Sequence, residues 1–440
     1  MKISKIRYTT LSELEKMPRF DLKAMPKKAK WYLQVLAWIL AFPETFFTKI
    51  KIRKHGMKDL KAGYLLLCNH NSFFDFKLAT KAIFPRSANY VVAVDGFINR
   101  EKIMRNVGCF PKRKFVPDPS LIRQIDYSIN QLKNICMLYP EARYSLIGTR
   151  ASLPDSLGKL IKKYKFPVAT LIAHGHHLHQ PIWNLRKHKV KIEADMTYLL
   201  SPEEIESLTA DEINQKIRKA FQYNDYMYQF ENKIKMKDLY RAENLHKPLY
   251  KCPHCLSEKD MKSEKTILYC DKCHETYHVD EYNQLHNLNG ETLFSFIPDW
   301  FEWQREEVSK EIINGQYSVE TDVYIDALPN STGFYRLGVG HLTHNMNGFK
   351  LKALIDNTAF LLKKPVLTKY GIHIEYDYFG KGDCLNLSTM NDTYYLFPIN
   401  QDIPITKFYF AVEELYKQEE KRINANKTRK NNTGKQETTD

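Results

Sequence analysis

Tyr64-Leu-Leu-Leu-Cys68-Asn69-His70-Asn71-Ser72-Phe73-Phe74-Asp75-Phe76-Lys-Leu-Ala-Thr-Lys-Ala-Ile-Phe84 passes from a continuous apolar run to an amphipathic one. The run Tyr64–Cys68 reads as a buried strand, and Phe76–Phe84 reads as the helix after it. His70 and Asp75 therefore fall where a strand ends and a helix begins, the usual place for ligand chemistry in open α/β sheets. Imidazole beside carboxylate is what an enzyme needs to take a proton from a hydroxyl near pH 7. On a straight helix two side chains five positions apart diverge by roughly 140°. His70 and Asp75 can meet only if the residues between them form a turn.

The same alternation continues outward. Asn89–Val94, Asn134–Leu138 and Phe166–Ala173 read as strands, and Ser120–Lys133 and Leu157–Tyr164 as helices. Ser201-Pro-Glu-Glu204 and Thr209-Ala-Asp-Glu212 are capping boxes that start two more helices. This is a layered α/β pattern. From about residue 317 the texture changes to hairpins: Val319, Thr321, Val323 and Ile325 alternate with polar residues, and Asn347-Gly348 is a two-residue turn signal. Phe408–Tyr416 reads as a closing helix. The expected organisation is an N-terminal interfacial helix region (1–62), an α/β domain (63–236), a small cysteine module (237–284), a β-rich domain with a terminal helix (285–417) and a disordered tail (418–440).

The chain of 440 residues has a formal charge of +15, which suits an anionic partner: a phospholipid surface, nucleic acid or an acidic protein. Met1–Phe20 lacks the apolar core of a secretory signal, so none is expected. The longest apolar stretch, Trp31–Phe42, is stopped by Pro43 and is too short to span hydrocarbon, which takes about 20 residues. Aromatic residues stand at its two ends. Lys27, Lys28 and Lys30 precede it, and Lys49, Lys51, Arg53, Lys54, Lys58 and Lys61 follow. This bracketing fits a helix lying in a membrane interface; the plainer reading is a helix packed on the sheet.

Three stretches follow the histidine in order: Gly108-Cys-Phe-Pro-Lys112-Arg113-Lys114, Tyr139-Pro-Glu141-Ala-Arg143-Tyr-Ser145 and Phe166-Pro167-Val168. With Asn69–Asp75 they resemble the four blocks of the glycerolipid acyltransferase family, whose best-known members acylate lysophosphatidic acid, over residues 63 to about 175. The resemblance implies a membrane-surface acyltransferase of the 1-acylglycerol-3-phosphate type, acting in phospholipid biosynthesis. It would move a fatty acyl group from a thioester to the hydroxyl of a lysophospholipid. His70 would be the general base and Asp75 its orienting acid. Gly108 would allow close approach to the substrate phosphate, and Lys112, Arg113 and Lys114 would neutralise it. Glu141 would hold the glycerol portion, and Pro167 would shape a wall of the acyl site. Two positions depart from the pattern: Lys114 stands where the family has an arginine, and Arg143 comes one place early, with Tyr144 in the usual arginine position. Which cation would grip phosphate is left open. Coenzyme A and an acyl carrier protein both suit a basic mouth as donor. The implied setting is the cytoplasmic face of a membrane, peripheral or monotopic, with an anionic lipid surface and the lysophospholipid acceptor as partners.

Cys252-Pro-His-Cys255 and Cys270-Asp-Lys-Cys273 form two C-x2-C knuckles, a spacing that can present four thiolates tetrahedrally to a structural zinc ion. A redox dithiol pair is the competing chemistry. A zinc ribbon can also read nucleic acid, so the rival to the enzyme is a nucleic-acid-binding protein with a non-catalytic α/β scaffold. That rival leaves the ordered blocks without a cause, and no nucleic acid is expected. His174, His176, His177 and His179 read as a polar rim of the site rather than a metal centre, with Trp183 as an interfacial anchor. Trp300, Phe301 and Trp303 are expected to pack within the chain. The hairpins and final helix of the β-rich end faintly resemble a pleckstrin-homology-like module.

Overall fold

The computed structural model describes residues 6–48, 50–58, 60–61 and 63–433, with side chains up to Asn426. Lys49 and residues 434–440, counted above in the basic flank and the tail, lie outside the described residues. The fold is mixed α/β with several sheets. The chain divides into two compact units: Pro18–Phe301 with Pro329–Gly333, and Met1–Met17 with Glu302–Leu328 and Phe334–Asp440.

The first unit holds a seven-stranded sheet in the order Lys51–His55, Glu193–Leu200, Val168–His174, Leu65–Cys68, Ile135–Leu138, Ala88–Ala93, Cys109–Lys112. The five strands from Val168–His174 to Cys109–Lys112 pair in parallel, and Glu193–Leu200 runs antiparallel to Val168–His174 and parallel to Lys51–His55. Leu65, Leu66 and Leu67 are fully buried, as a strand covered on both faces requires. Ala169, Leu66, Met137, Tyr90 and Cys109 form one row across the sheet. That row sets the height of every residue that follows a strand.

The apolar helix runs Trp31–Phe47 and passes through Pro43, where the sequence predicts a stop. Its last turn is held from outside: Glu44 pairs with Lys77 and Lys187, and Lys81 donates to the Thr45 carbonyl. Trp38 and Phe42 pack on Phe84, while Trp31, Leu36, Ile39, Leu40, Phe46 and Phe47 stay exposed. Among the described residues no helix is long and apolar enough to cross a membrane. Both predicted capping boxes form, at Ser201 and Thr209.

The cysteine module carries a four-stranded antiparallel sheet, ordered Leu285–Asn287, Thr276–Val279, Ile267–Cys270, Met261–Glu264. Trp300 packs on Tyr277 and donates from Nε1 to the Lys251 carbonyl at 2.9 Å.

In the second unit the strands order as Thr358–Lys364, Gly348–Ile355, Tyr335–Asn345, Ser318–Leu328, Thr393–Pro398, Cys384–Ser388, Ile374–Glu375, with Arg7–Tyr8 added beside Tyr335–Asn345. Phe408, Ala411, Val412 and Leu415 bury one face of the final helix. That helix spans Ile405–Thr433, continuing through much of the segment whose composition predicts a disordered tail. Good helix formers and the Arg422–Glu419 pair carry it on.

Candidate active site and candidate metal centre

The turn through which His70 and Asp75 can meet forms. Asp75 opens the helix Asp75–Ile83, and Oδ2 of its side chain turns back to accept from Asn71 N at 2.9 Å and Ser72 N at 3.2 Å. The same oxygen lies 2.7 Å from His70 Nδ1. With Nδ1 carrying the proton toward Asp75, Nε2 is left as the basic nitrogen. The His70 side chain is 20% exposed and Asp75 is buried, so the ring is reachable while its partner is shielded. Tyr139 and Tyr144 lie against the His70 ring, with centroids 4.3 and 3.9 Å away. Phe73 in turn packs on Tyr144. The His70 carbonyl accepts from Ser145 N at 2.7 Å, tying the turn to the third block.

The register decides which other candidates join this pair. Lys112 ends its strand, and Arg113 and Lys114 extend past it, at the height of His70 and three strands across, or about 14 Å. All three are engaged within the fold. Lys112 Nζ donates to the Val116 carbonyl, Arg113 is buried and donates to the Pro329 carbonyl, and Lys114 lies 3.8 Å from Asp95. Gly108 lies at the opposite end of the strand, level with Leu65. Its φ there is +97°, and a Cβ at this position would come within 2.7 Å of the Ala88 carbonyl, so the glycine serves a close backbone contact. Pro167 sits at that same far end, where its carbonyl accepts from Leu65 N. Neither residue is brought near His70.

Glu141 is fully buried and faces inward. Its carboxyl is braced by the backbone N–H groups of Ala151 and His70, and it lies 2.9 Å from the Tyr223 hydroxyl. Burial pushes its pKa up to about 8. Tyr223 has one proton and two neighbours, Glu141 and Asn71 Oδ1 at 2.8 Å. The raised pKa lets Glu141 carry a proton near neutrality, and the Tyr223 hydroxyl bridges it to Asn71. Glu141 thus holds the His70 turn from beneath, where the resemblance implies a contact to glycerol. Arg143 is also buried, beside Glu141 and 5.8 Å from the centre of the Phe115 ring.

Three of the four histidines do not form a rim; His174 is half-buried and stacks on Tyr228. His176, His177 and His179 are buried, as is Trp183, whose Nε1 donates to the Leu146 carbonyl. A buried indole with a satisfied N–H cannot serve as an interfacial anchor. His176 and Asp225 come up behind Asp75, and Tyr223 comes up behind Glu141. Nothing local in the sequence marks Tyr223 or Asp225, which lie far along the chain from the residues they touch.

The four cysteines come together. Their Sγ atoms all lie within 4.8 Å of one another, and Cys252–Cys273 and Cys255–Cys270 are each 3.6 Å apart. Four sulfurs at about 2.3 Å from a zinc ion would be spaced about 3.8 Å apart, so the set could hold a metal such as zinc. The two knuckles share one build. In each, the residue after the second cysteine, Leu256 or His274, adopts a left-handed conformation and donates its N–H to the carbonyl of the first. No such cluster forms from the histidines among the described residues.

No family model and no curated protein matches the chain. Among solved structures, the 1-acyl-sn-glycerophosphate (LPA) acyltransferase PlsC from Thermotoga maritima is similar at a TM-score of 0.36 and 12% identity, over 43% of this chain and 77% of that one. The similarity is distant and partial, too slight to fix fold or activity.

Proposed function

We propose that the chain is an acyltransferase that moves a fatty acyl group from a thioester to the hydroxyl of a lysophospholipid at a membrane surface. The observation that carries this reading is the 2.7 Å His70–Asp75 pair at the end of a parallel sheet strand, with one imidazole nitrogen left basic and the ring part exposed. The ordered blocks that resemble the glycerolipid acyltransferases supply the reaction. His70 Nε2 takes the proton of the acceptor hydroxyl as its oxygen attacks the thioester carbonyl. Asp75 then faces the imidazolium that results and stabilises it. The proton returns with the departing thiolate, whose carrier is coenzyme A or an acyl carrier protein.

The exposed face of helix Trp31–Phe47 supports action at a lipid surface, since Trp31, Ile39, Leu40, Phe46 and Phe47 form an apolar strip on a basic chain. The acceptor class is kept broad. Lysophosphatidic acid is the acceptor implied by the resemblance, but Arg113 and Arg143 are buried and Lys112 and Lys114 are engaged. A phosphate grip would require one of those side chains to change partners.

The test is to incubate purified protein, on phospholipid vesicles, with labelled acyl-coenzyme A or acyl carrier protein and a panel of lysolipids. An ester product that disappears in His70→Ala supports the reading. No product with any donor and acceptor, or equal turnover in His70→Ala, overturns it.

A further inference from the structure

Asp75 has two carboxyl oxygens, and the turn uses only one. Oδ2 takes His70 and two backbone N–H groups; Oδ1 is buried and has no hydrogen bond. A bare buried carboxylate oxygen is costly. His176 is 1% exposed, and neither of its ring nitrogens has a hydrogen bond. Its Nε2 lies 3.4 Å from Asp75 Oδ1, and its Nδ1 lies 3.7 Å from Asp225 Oδ2. Asp225 is itself fully buried, anchored by the His177 N–H at 2.9 Å. Asp75 Oδ1 and both His176 nitrogens lack partners that their neighbours could supply, and a small shift of the ring would close the contacts.

The backbone is built to put His176 there. Gly175, at φ +79°, turns the chain at the end of strand Val168–His174, and a Cβ in its place would meet the Lys191 carbonyl at 2.4 Å. Asn69 clamps that strand end by exchanging both amide bonds with Ala173. The residues after it are thereby carried beneath the N-terminus of helix Asp75–Ile83.

We propose that His176 and Asp225 are positioning residues that extend the His70–Asp75 pair into a four-membered chain, with His176 Nε2–H donating to Asp75 Oδ1 and Asp225 fixing the imidazole from Nδ1. Held at both oxygens, Asp75 cannot rotate away from His70. Burial lowers the His176 pKa to about 4, keeping the ring neutral, and raises that of Asp225 to about 7, so that near neutrality Asp225 can carry the proton that Nδ1 accepts. The catalytic consequence rests on the acyl-transfer reading; the geometry of the chain does not.

The test compares His176→Leu, which removes the donor, with His176→Gln, which keeps an amide N–H, and with Asp225→Asn. Readouts are kcat and KM for donor and acceptor, thermal stability, and the His70 tautomer followed by nitrogen NMR. In the leucine variant kcat is expected to fall by about 10- to 100-fold, by analogy with other outer-shell partners, with little change in KM. Glutamine should recover most of the loss, and the Nδ1–H tautomer of His70 should lose its dominance in the leucine variant only. A folded His176→Leu protein with wild-type kcat and an unchanged His70 tautomer overturns the proposal. If His176→Leu fails to fold, Asp225→Ala decides in its place: a folded protein with lowered kcat and a shifted His70 tautomer supports the chain, and one with wild-type kcat and an unchanged tautomer overturns it. A wild-type protein inactive with every donor sinks the acyl-transfer reading alone, because the tautomer still reports on the chain.

Discussion

The Tyr144 ring lies against the His70 ring, with centroids 3.9 Å apart and planes inclined by 37°. Tyr144 occupies the position where the glycerolipid acyltransferase pattern has an arginine. An aromatic face in that place restrains the imidazole where a guanidinium would attract an anion. Tyr144→Phe should therefore leave turnover within about twofold, whereas Tyr144→Ala should lower kcat by about tenfold by releasing the ring. Tyr144→Arg tests the substitution directly: if the site can take a phosphate monoester, this variant should raise the preference for lysophosphatidic acid over neutral lysolipids in a competition assay.

Removing the base itself should do more. His70→Ala is expected to reduce acyl transfer by about 10²- to 10⁴-fold. Circular dichroism and the melting temperature should stay near wild type, because the ring is part exposed and its backbone bond to Ser145 survives. Wild-type turnover in a folded mutant would show that another group takes the proton.

Glu141 makes a pH prediction. Its folded pKa, about 8, lies above the unfolded 4.5, so the folded state binds the extra proton between those values. Its contribution to stability is full below 4.5 and is lost as pH rises through 8. Glu141→Gln keeps the shape without the ionisation. The stability difference between wild type and Glu141→Gln, from urea melts at several pH values, should shift against wild type between pH 5 and about 8 and level off above. A flat difference would mean that Glu141 is ionised in the native protein.

Ala142 adopts φ +57°, a left-handed conformation that disfavours a side chain with a Cβ. Ala142→Gly should relieve that strain and stabilise the unit by up to about 1 kcal/mol, measured as a raised denaturation midpoint with an unchanged slope. Lower stability would show that the alanine methyl contributes more in packing than the strain costs.

Chelation should act on a different part of the chain. The cysteine module has a small core of its own, and structural zinc typically contributes about 10–16 kcal/mol to such folds. Stripping metal should open residues 245–284 to protease first, as mapped by mass spectrometry of the fragments. Unchanged cleavage after verified metal loss would remove the structural role.

At the lipid surface, Ile39→Glu with Leu40→Glu should weaken flotation with anionic vesicles by about tenfold or more, since each side chain is worth up to about 1.5–3 kcal/mol on full burial. Both are exposed, so the melting temperature should not move. Equal flotation of the double variant would assign membrane contact elsewhere.

Much of the scaffold could be read from local pattern. Buried strands announce themselves as apolar runs, helix starts as capping boxes at Ser201 and Thr209, and the cysteine knuckles as paired cysteines, because each signal lies within a few residues. The His70–Asp75 pairing was legible only as a condition: the two could meet through a turn, which the residues between them permit. What only the tertiary structure decided is which distant groups share that turn. Strand register sends Gly108 and Pro167 to the far end of the sheet, although Lys112, Arg113 and Lys114 of Gly108's own block reach the end where His70 lies. Burial turns Glu141 and Arg143 inward and brings Tyr223, His176 and Asp225 beneath the pair. Sheet register and the packing of helices beneath it are set by contacts summed over the whole unit, and no short stretch of chain carries that sum.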